Sequence, residues 1–226
     1  MNKEAYLEYL KERKSSHKKN YYLLSLEELE RIKKGYPIKP KLLLHACCAP
    51  CASWPLEFLS DHFEITLYYA NSNIYPKEEY QKRRDELERF VQEVWNNKVS
   101  IVFPPYDNIA YTEKLAPYKD DPEGWERCFL CYRMRLEDTF AYAKENHYDF
   151  VSTVMTISRQ KDSQKINEIG LDVQKKYPMI QYFASDFKKN NGQVRRDELV
   201  KEYNLYHQDY CGCVYSYNER QKKLED

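Results

Sequence analysis

The sequence predicts an α/β domain built on a parallel sheet flanked by helices. Three observations lead there. Short apolar runs such as Lys41–Ala46 and Glu64–Ala70 alternate with longer stretches of helical periodicity, the pattern that builds parallel sheets. The 226 residues, 42% hydrophobic and 15% aromatic, suffice for one buried core. Three cysteines directly follow the first apolar run, where a parallel sheet places its ligands.

The elements follow in order. Residues 1–40 read as a charged helical N-terminal extension, with ten Lys or Arg against six Glu. Ser25 and Glu28 form a capping box ahead of a helix containing Ile32, which Pro37 and Pro40 end. Lys41–Ala46 is a buried strand, and a helix follows near Ser53–Asp61. Glu64–Ala70 is the second strand. Pro76 opens a long helix with Tyr80, Leu87, Val91 and Val94 on one face. Val99–Phe103 is the third strand, closed by Pro104 and Pro105. Glu126–Asn146 reads as a helix, Asp149–Met155 as a strand, and Lys161–Lys176 as a helix capped by Asp162. A short strand at Met179–Phe183 and helices at Val194–Tyr203 and Tyr215–Lys223 complete the chain.

Several classes are excluded. No apolar run approaches the length of a membrane span, and Met1–Tyr6 has no apolar signal core, so a cytoplasmic protein without membrane association is expected. The 36 basic and 36 acidic residues cancel, so nucleic acid would be met through a local patch rather than a global field. No glycine follows the first strand, which removes a phosphate loop for ATP.

The chemistry lies in seven cysteines: Cys47-Cys48-x-x-Cys51, Cys128-x-x-Cys131 and Cys211-x-Cys213. In a reducing compartment such grouping reads as metal binding or redox chemistry rather than disulfides. A cubane takes four thiolates, and residues three apart on a helix share a face. Gly212 lets the backbone bend so that Cys211 and Cys213 converge. Structural zinc also takes four cysteines. Seven exceed four, which suits a [4Fe-4S] cluster with an additional mononuclear metal (iron or zinc), or a cluster beside a reactive thiol. All seven are expected in one pocket. Adjacent side chains of an extended strand alternate, so Cys47 and Cys48 are expected to serve different partners.

Other candidates flank these. His45 would hydrogen-bond cluster or substrate, or be a satisfied core histidine. Asp209 would be an oxygen ligand, a proton donor or a turn cap. Arg133 and Arg135 would hold phosphate or pair with Glu137 and Asp138.

Six segments together carry a resemblance: His45–Cys51 (HACCAPC), Asn71–Tyr80 (NSNIYPKEEY), Cys128–Leu136 (CFLCYRMRL), Gln164–Gly170 (QKINEIG), Ser185–Lys189 (SDFKK) and Gln208–Cys213 (QDYCGC). In order and spacing, from about Lys41 to Ser216, they resemble the epoxyqueuosine reductase family of the QueH type. The departure is Ser158-Arg159-Gln160-Lys161, where many relatives look like Ser-Pro followed by an aromatic or His.

The resemblance implies a sheet like that of the adenine-nucleotide α-hydrolases (HUP-like), with residues 41–226 as the metal-binding catalytic domain. It implies reduction of epoxyqueuosine at the tRNA wobble position to queuosine, the last step of queuosine synthesis. An iron–sulfur cluster would be fed by a low-potential donor of ferredoxin or flavodoxin type. The competing readings are a zinc-stabilised nucleic-acid-binding protein without redox chemistry and a thiol–disulfide oxidoreductase. For tRNA the basic candidates are Lys11–Lys19, Lys188-Lys189 with Asp186, and Arg195-Arg196; Tyr68, Tyr69, Tyr75 and Tyr106 are candidates for stacking bases.

Overall fold

The computed structural model describes residues 3–14, 18–96 and 98–225. Ser15–His17, inside the basic stretch Lys11–Lys19, fall outside the described residues. In chain order the elements are α1 (Lys3–Lys14), α2 (Tyr21–Gly35), β1 (Lys41–His45), α3 (Ala49–Leu59), β2 (Glu64–Tyr68), α4 (Lys77–Trp95), β3 (Ser100–Val102), α5 (Asn108–Leu115), α6 (Glu126–Glu145), β4 (Phe150–Thr153), α7 (Ser163–Gln174), β5 (Gln181–Tyr182), α8 (Gly192–Glu202) and α9 (Val214–Glu225).

The five strands are parallel, in the order β3-β2-β1-β4-β5. Strand order therefore reverses between β1 and β4, the point at whose carboxyl side parallel sheets place their ligands. Both faces of β1 are covered. Leu42 and Leu44 enter the core shared with α2, α3 and α4, while Leu43 enters the core shared with α6 and α7. From α2, Leu29 and Ile32 join the first of these cores.

Local chemistry explains where elements begin. Helix α2 starts a turn before the expected capping box, because Asn20 Oδ1 accepts from Leu23 N at 3.2 Å and Tyr21 is buried. Ser25 sits inside the helix, bonded to the Tyr22 carbonyl at 2.7 Å. Asp162 caps α7 as expected, accepting from Gln164 N at 2.9 Å. Helix α3 starts at Ala49 rather than near Ser53, since Pro50 suits a first helical turn. Strand β4 ends at Thr153, whose hydroxyl accepts from Met155 N and turns Val154–Ile157 into a 3-10 turn. Helix α5 was not expected; Asp107 Oδ1 caps it through Ala110 N at 3.0 Å.

Candidate metal centre

β1 stops at His45, and two residues later the chain enters α3 with Cys48 at its N-cap and Cys51 at its third helical position. This early helix start gathers the first cysteines. The sulfurs of Cys47, Cys48 and Cys51 all lie within 4.8 Å of one another, with Cys47 and Cys48 at 3.8 Å. Cys47 and Cys48 therefore do not point apart as neighbours on a regular strand would; both sulfurs stand in the one triad. Gln208 Nε2 donates to Cys48 Sγ at 3.1 Å. Gln208 Oε1 is buried with no partner among the described residues, a polar atom left for something further at this triad.

The other four cysteines form a second, looser group. Cys128 is at the third position of α6 and Cys131 one turn on. Gly124, at φ +86°, donates its N–H to Cys128 Sγ at 3.2 Å. Tyr111 of α5 donates its hydroxyl to Cys131 Sγ at 3.3 Å. Cys211 and Cys213 flank Gly212 at φ +121°, and Cys213 directly precedes α9, accepting from Ser216 N at 3.5 Å. Three helices therefore present their N-terminal turns to sulfurs, the end at which backbone N–H groups favour thiolate. All seven cysteines are free.

Two cations join the groups. Arg135 is buried and lies within reach of Cys131, Cys47 and Cys211. Lys161 faces Cys211, Cys47 and Cys51. Burial disfavours both charged forms, yet the sulfurs' negative charge raises both pKa values. Among the described residues, Arg135 has no carboxylate partner and Lys161 Nζ no hydrogen-bond partner. Cys47 is held well below the usual thiol range by hydrogen bonds from Cys48 and Cys51, against burial, with help from Arg135 and Lys161. Burial pushes Cys48 up to about 12. Hydrogen bonding to Cys47 raises Cys51 well above the usual range. In the second group burial pushes Cys128 up to about 12 and Cys213 up to about 11, with Cys211 adding to each.

Arg135 also ties the sheet edge to the cysteine loop. Its Nε donates to His45 Nε2 at 3.1 Å, and its terminal NH2 donates to Asn71 Oδ1. Asn71 Nδ2 holds the Ala46 carbonyl at 2.8 Å. Since His45 Nε2 accepts, the ring proton is on Nδ1, which donates to Thr153 Oγ1 at 2.8 Å. Burial first, then the Arg135 charge, pushes His45 down to about 3. Both ring nitrogens of His45 are thus engaged, one with Thr153 and one with Arg135. Arg83, also buried, is held by Glu79 at 2.6 Å and clamps the third loop through the Cys211 and Tyr210 carbonyls at 3.3 and 3.4 Å.

Other expected residues are placed elsewhere. Asp209 is exposed and accepts from Arg220 Nε at 2.6 Å, at the surface rather than among the sulfurs. Arg133 pairs with Asp172 at 2.9 Å, while Glu137 pairs with Lys176, so the expected pairings of Arg133 and Arg135 with Glu137 and Asp138 do not form. Asp186 is buried and accepts from Ser163. Arg195 is bound by Glu57, and Arg196 by Asp197. Of the four tyrosines expected to stack bases, Tyr68, Tyr69 and Tyr106 are packed or bonded internally, and Tyr75 is 37% exposed. The sequence reading missed Lys161, Arg83, Tyr111 and Gln208. Only the position of Gln208 beside Cys211 offered a signal.

No helix among the described residues is long and apolar enough to cross a membrane. A family model described as "Epoxyqueuosine reductase QueH" matches residues 42–219. A protein of that name from Streptococcus pyogenes serotype M1 is 40% identical over 194 residues, covering 84% of this chain and 76% of the relative. One from Staphylococcus aureus is 42% identical over 185 residues (79% and 76%), and one from Thermotoga maritima is 30% identical over 185 residues (80% and 93%).

Proposed function

From the premise that the chain belongs to the epoxyqueuosine reductase QueH family, we propose that it reduces epoxyqueuosine at the wobble position of tRNA to queuosine. The epoxide oxygen leaves as water and an alkene remains, which consumes two electrons and two protons. The observation that carries this reading is the pairing of a tight cysteine triad with a looser tetrad across Arg135 and Lys161.

The donor sets fit two different groups. Thiolates around one tetrahedral ion with bonds of about 2.3 Å stand about 3.8 Å apart, which matches the triad. A cubane spreads its thiolates over four irons, which suits Cys128, Cys131, Cys211 and Cys213. When bound, a [4Fe-4S] cluster on the tetrad supplies electrons one at a time, and a mononuclear iron or zinc on the triad supplies Lewis acidity. Arg135 and Lys161 keep positive charge beside the thiolates, and Lys161 Nζ offers its N–H donors to the departing oxygen. His45 and Asn71 hold Arg135 in place. The electrons would come from a low-potential donor of ferredoxin or flavodoxin type. In this reading residues 41–226 are the catalytic domain and residues 1–40 an extension lying against it. The zinc-only and thiol–disulfide readings are not favoured by the family.

The test is metal and sulfide analysis of anaerobically purified protein, followed by reduction of epoxyqueuosine-containing tRNA with dithionite. About four irons and four sulfides, one further metal, and conversion of the nucleoside are expected. One zinc per chain without sulfide, or no conversion by the loaded protein, would overturn it.

A further inference from the structure

A cleft of about 220 Å³ lies outside the metal centre, between the start of α4, the segment Tyr206–Tyr210 and α9. The Cys211–Cys213 loop is fastened beside it. Tyr75 N donates to the Gly212 carbonyl at 2.7 Å, and Tyr210 OH donates to the Tyr75 carbonyl at 2.6 Å. The Arg83 guanidinium stands 5.2 Å from the Tyr210 ring and carries the Cys211 carbonyl, so one side chain links the cleft to the cysteine loop. No cysteine lines the cleft. Its occupant is therefore a neighbour of the reacting group and not that group itself.

The chemistry of the walls narrows the occupant. The Tyr217 ring meets Tyr75 and Tyr210 edge-on at 5.4 and 5.7 Å, and its hydroxyl has no partner among the described residues. The cleft is smaller than the roughly 300 Å³ at which pockets begin to enclose whole drug-sized ligands, so it takes one ring system. Glu78, Glu79 and Asp209 stand among the cations Lys82 and Arg220. Three carboxylates repel a phosphate or a second carboxylate, whereas both signs can meet the donors and acceptors on the edge of a neutral heterocycle.

We infer that this cleft holds one unpaired nucleobase of the tRNA anticodon loop, flanking the reacting nucleotide, stacked on Tyr217 and read at its edge by Asp209 and Arg220. The inference rests on the tRNA reading above. It gives Asp209 a place in substrate recognition rather than at the metal. Single-stranded RNA is generally recognised in this way, by bases splayed onto aromatic rings.

The experiment uses metal-loaded full-length protein and an anticodon stem-loop hairpin with a fluorescent base analogue beside the wobble nucleotide. Wild type is expected to quench the analogue. Tyr217→Leu should lose the quenching and bind about ten-fold more weakly, and Tyr217→Phe should retain both. An abasic site at the same position should weaken wild type by a similar factor and leave Tyr217→Leu unaffected. Equal affinity of Tyr217→Leu and wild type, or an equal abasic penalty in both, overturns the inference while leaving the tRNA reading intact. A wild type that binds no hairpin overturns both. The visible spectrum of each variant confirms that the metal centre has assembled.

Discussion

Arg135 Nε donates to His45 Nε2 at 3.1 Å, and this bond joins a buried cation facing the cysteines to the carboxyl end of the central strand. Removing the cation leaves Cys47 and Cys131 without it. Arg135→Met is expected to lower stability by about 3–5 kcal/mol and to reduce iron content. Arg135→Lys should not restore it, because one ammonium cannot reproduce the planar fork to His45 and Asn71. Denaturant unfolding and iron analysis under nitrogen check both.

The pH dependence follows from His45. Its folded pKa, about 3, lies below the ordinary value of 6.5, so below 6.5 the unfolded chain takes up a proton that the folded chain refuses. Stability from this group is fully present above 6.5 and falls as pH drops from 6.5 towards 3. Between neutral pH and about pH 5 the loss is about 2 kcal/mol. His45→Gln is expected to remove that part of the slope. Denaturant midpoints of the two proteins across the interval would show it, and parallel curves would refute it.

The two cysteine groups should lose different metals. Cys128→Ser or Cys211→Ser is expected to bleach the protein and abolish sulfide. Cys48→Ser should keep colour and sulfide but lose the additional metal and turnover. Elemental analysis with the visible spectrum distinguishes the two outcomes; loss of colour in both would place the cluster on sulfurs from both groups.

Gly212 is a backbone requirement. At φ +121° an added Cβ would stand 3.0 Å from Arg83 and 3.3 Å from Ile74. Gly212→Ala is expected to cost about 1–3 kcal/mol and to displace Cys211 and Cys213. Lower cluster occupancy at unchanged cysteine count is the measurement.

Binding of tRNA should weaken steeply with salt, since Lys and Arg contacts release counterions. Deleting residues 1–18 should weaken it if the basic stretch contributes, at a modest cost in stability from the lost contacts of Tyr6 and Tyr9 with Trp125 and Phe129. Deletion through residue 34 should destabilise the fold as well, because Leu29 and Ile32 are core residues. Affinity across a salt series, with thermal melts of both truncations, separates the two effects.

Much of this was legible in the sequence for local reasons. Leu42, Leu43 and Leu44 announce a doubly covered strand, and Asp162 a helix start. Ser25 misled because Asn20 is an equally good cap and the burial of Tyr21 decides between them. The two-turn helix α5 is too short to show periodicity. Cysteine spacing pointed to the cysteine-rich site but not to how its sulfurs group, which depends on where β1 ends. Arg83 and Lys161 were hidden by a sound general rule, that charged residues are exposed. Only the assembled fold shows that sulfurs are among the groups that hold them inside.

The tetrad spans distant parts of the chain, with about 80 residues between Cys131 and Cys211. An ion or cluster bound there, as proposed, would be a fastener as well as a reagent. Closing a loop of that length removes freedom from the unfolded chain worth about 4–5 kcal/mol in the chain-entropy picture. Chelation should therefore loosen the molecule unevenly. The Cys211 loop and α9 would detach first, while the middle of the sheet, fixed by Leu42, Leu43, Leu44 and Leu67, stays closed.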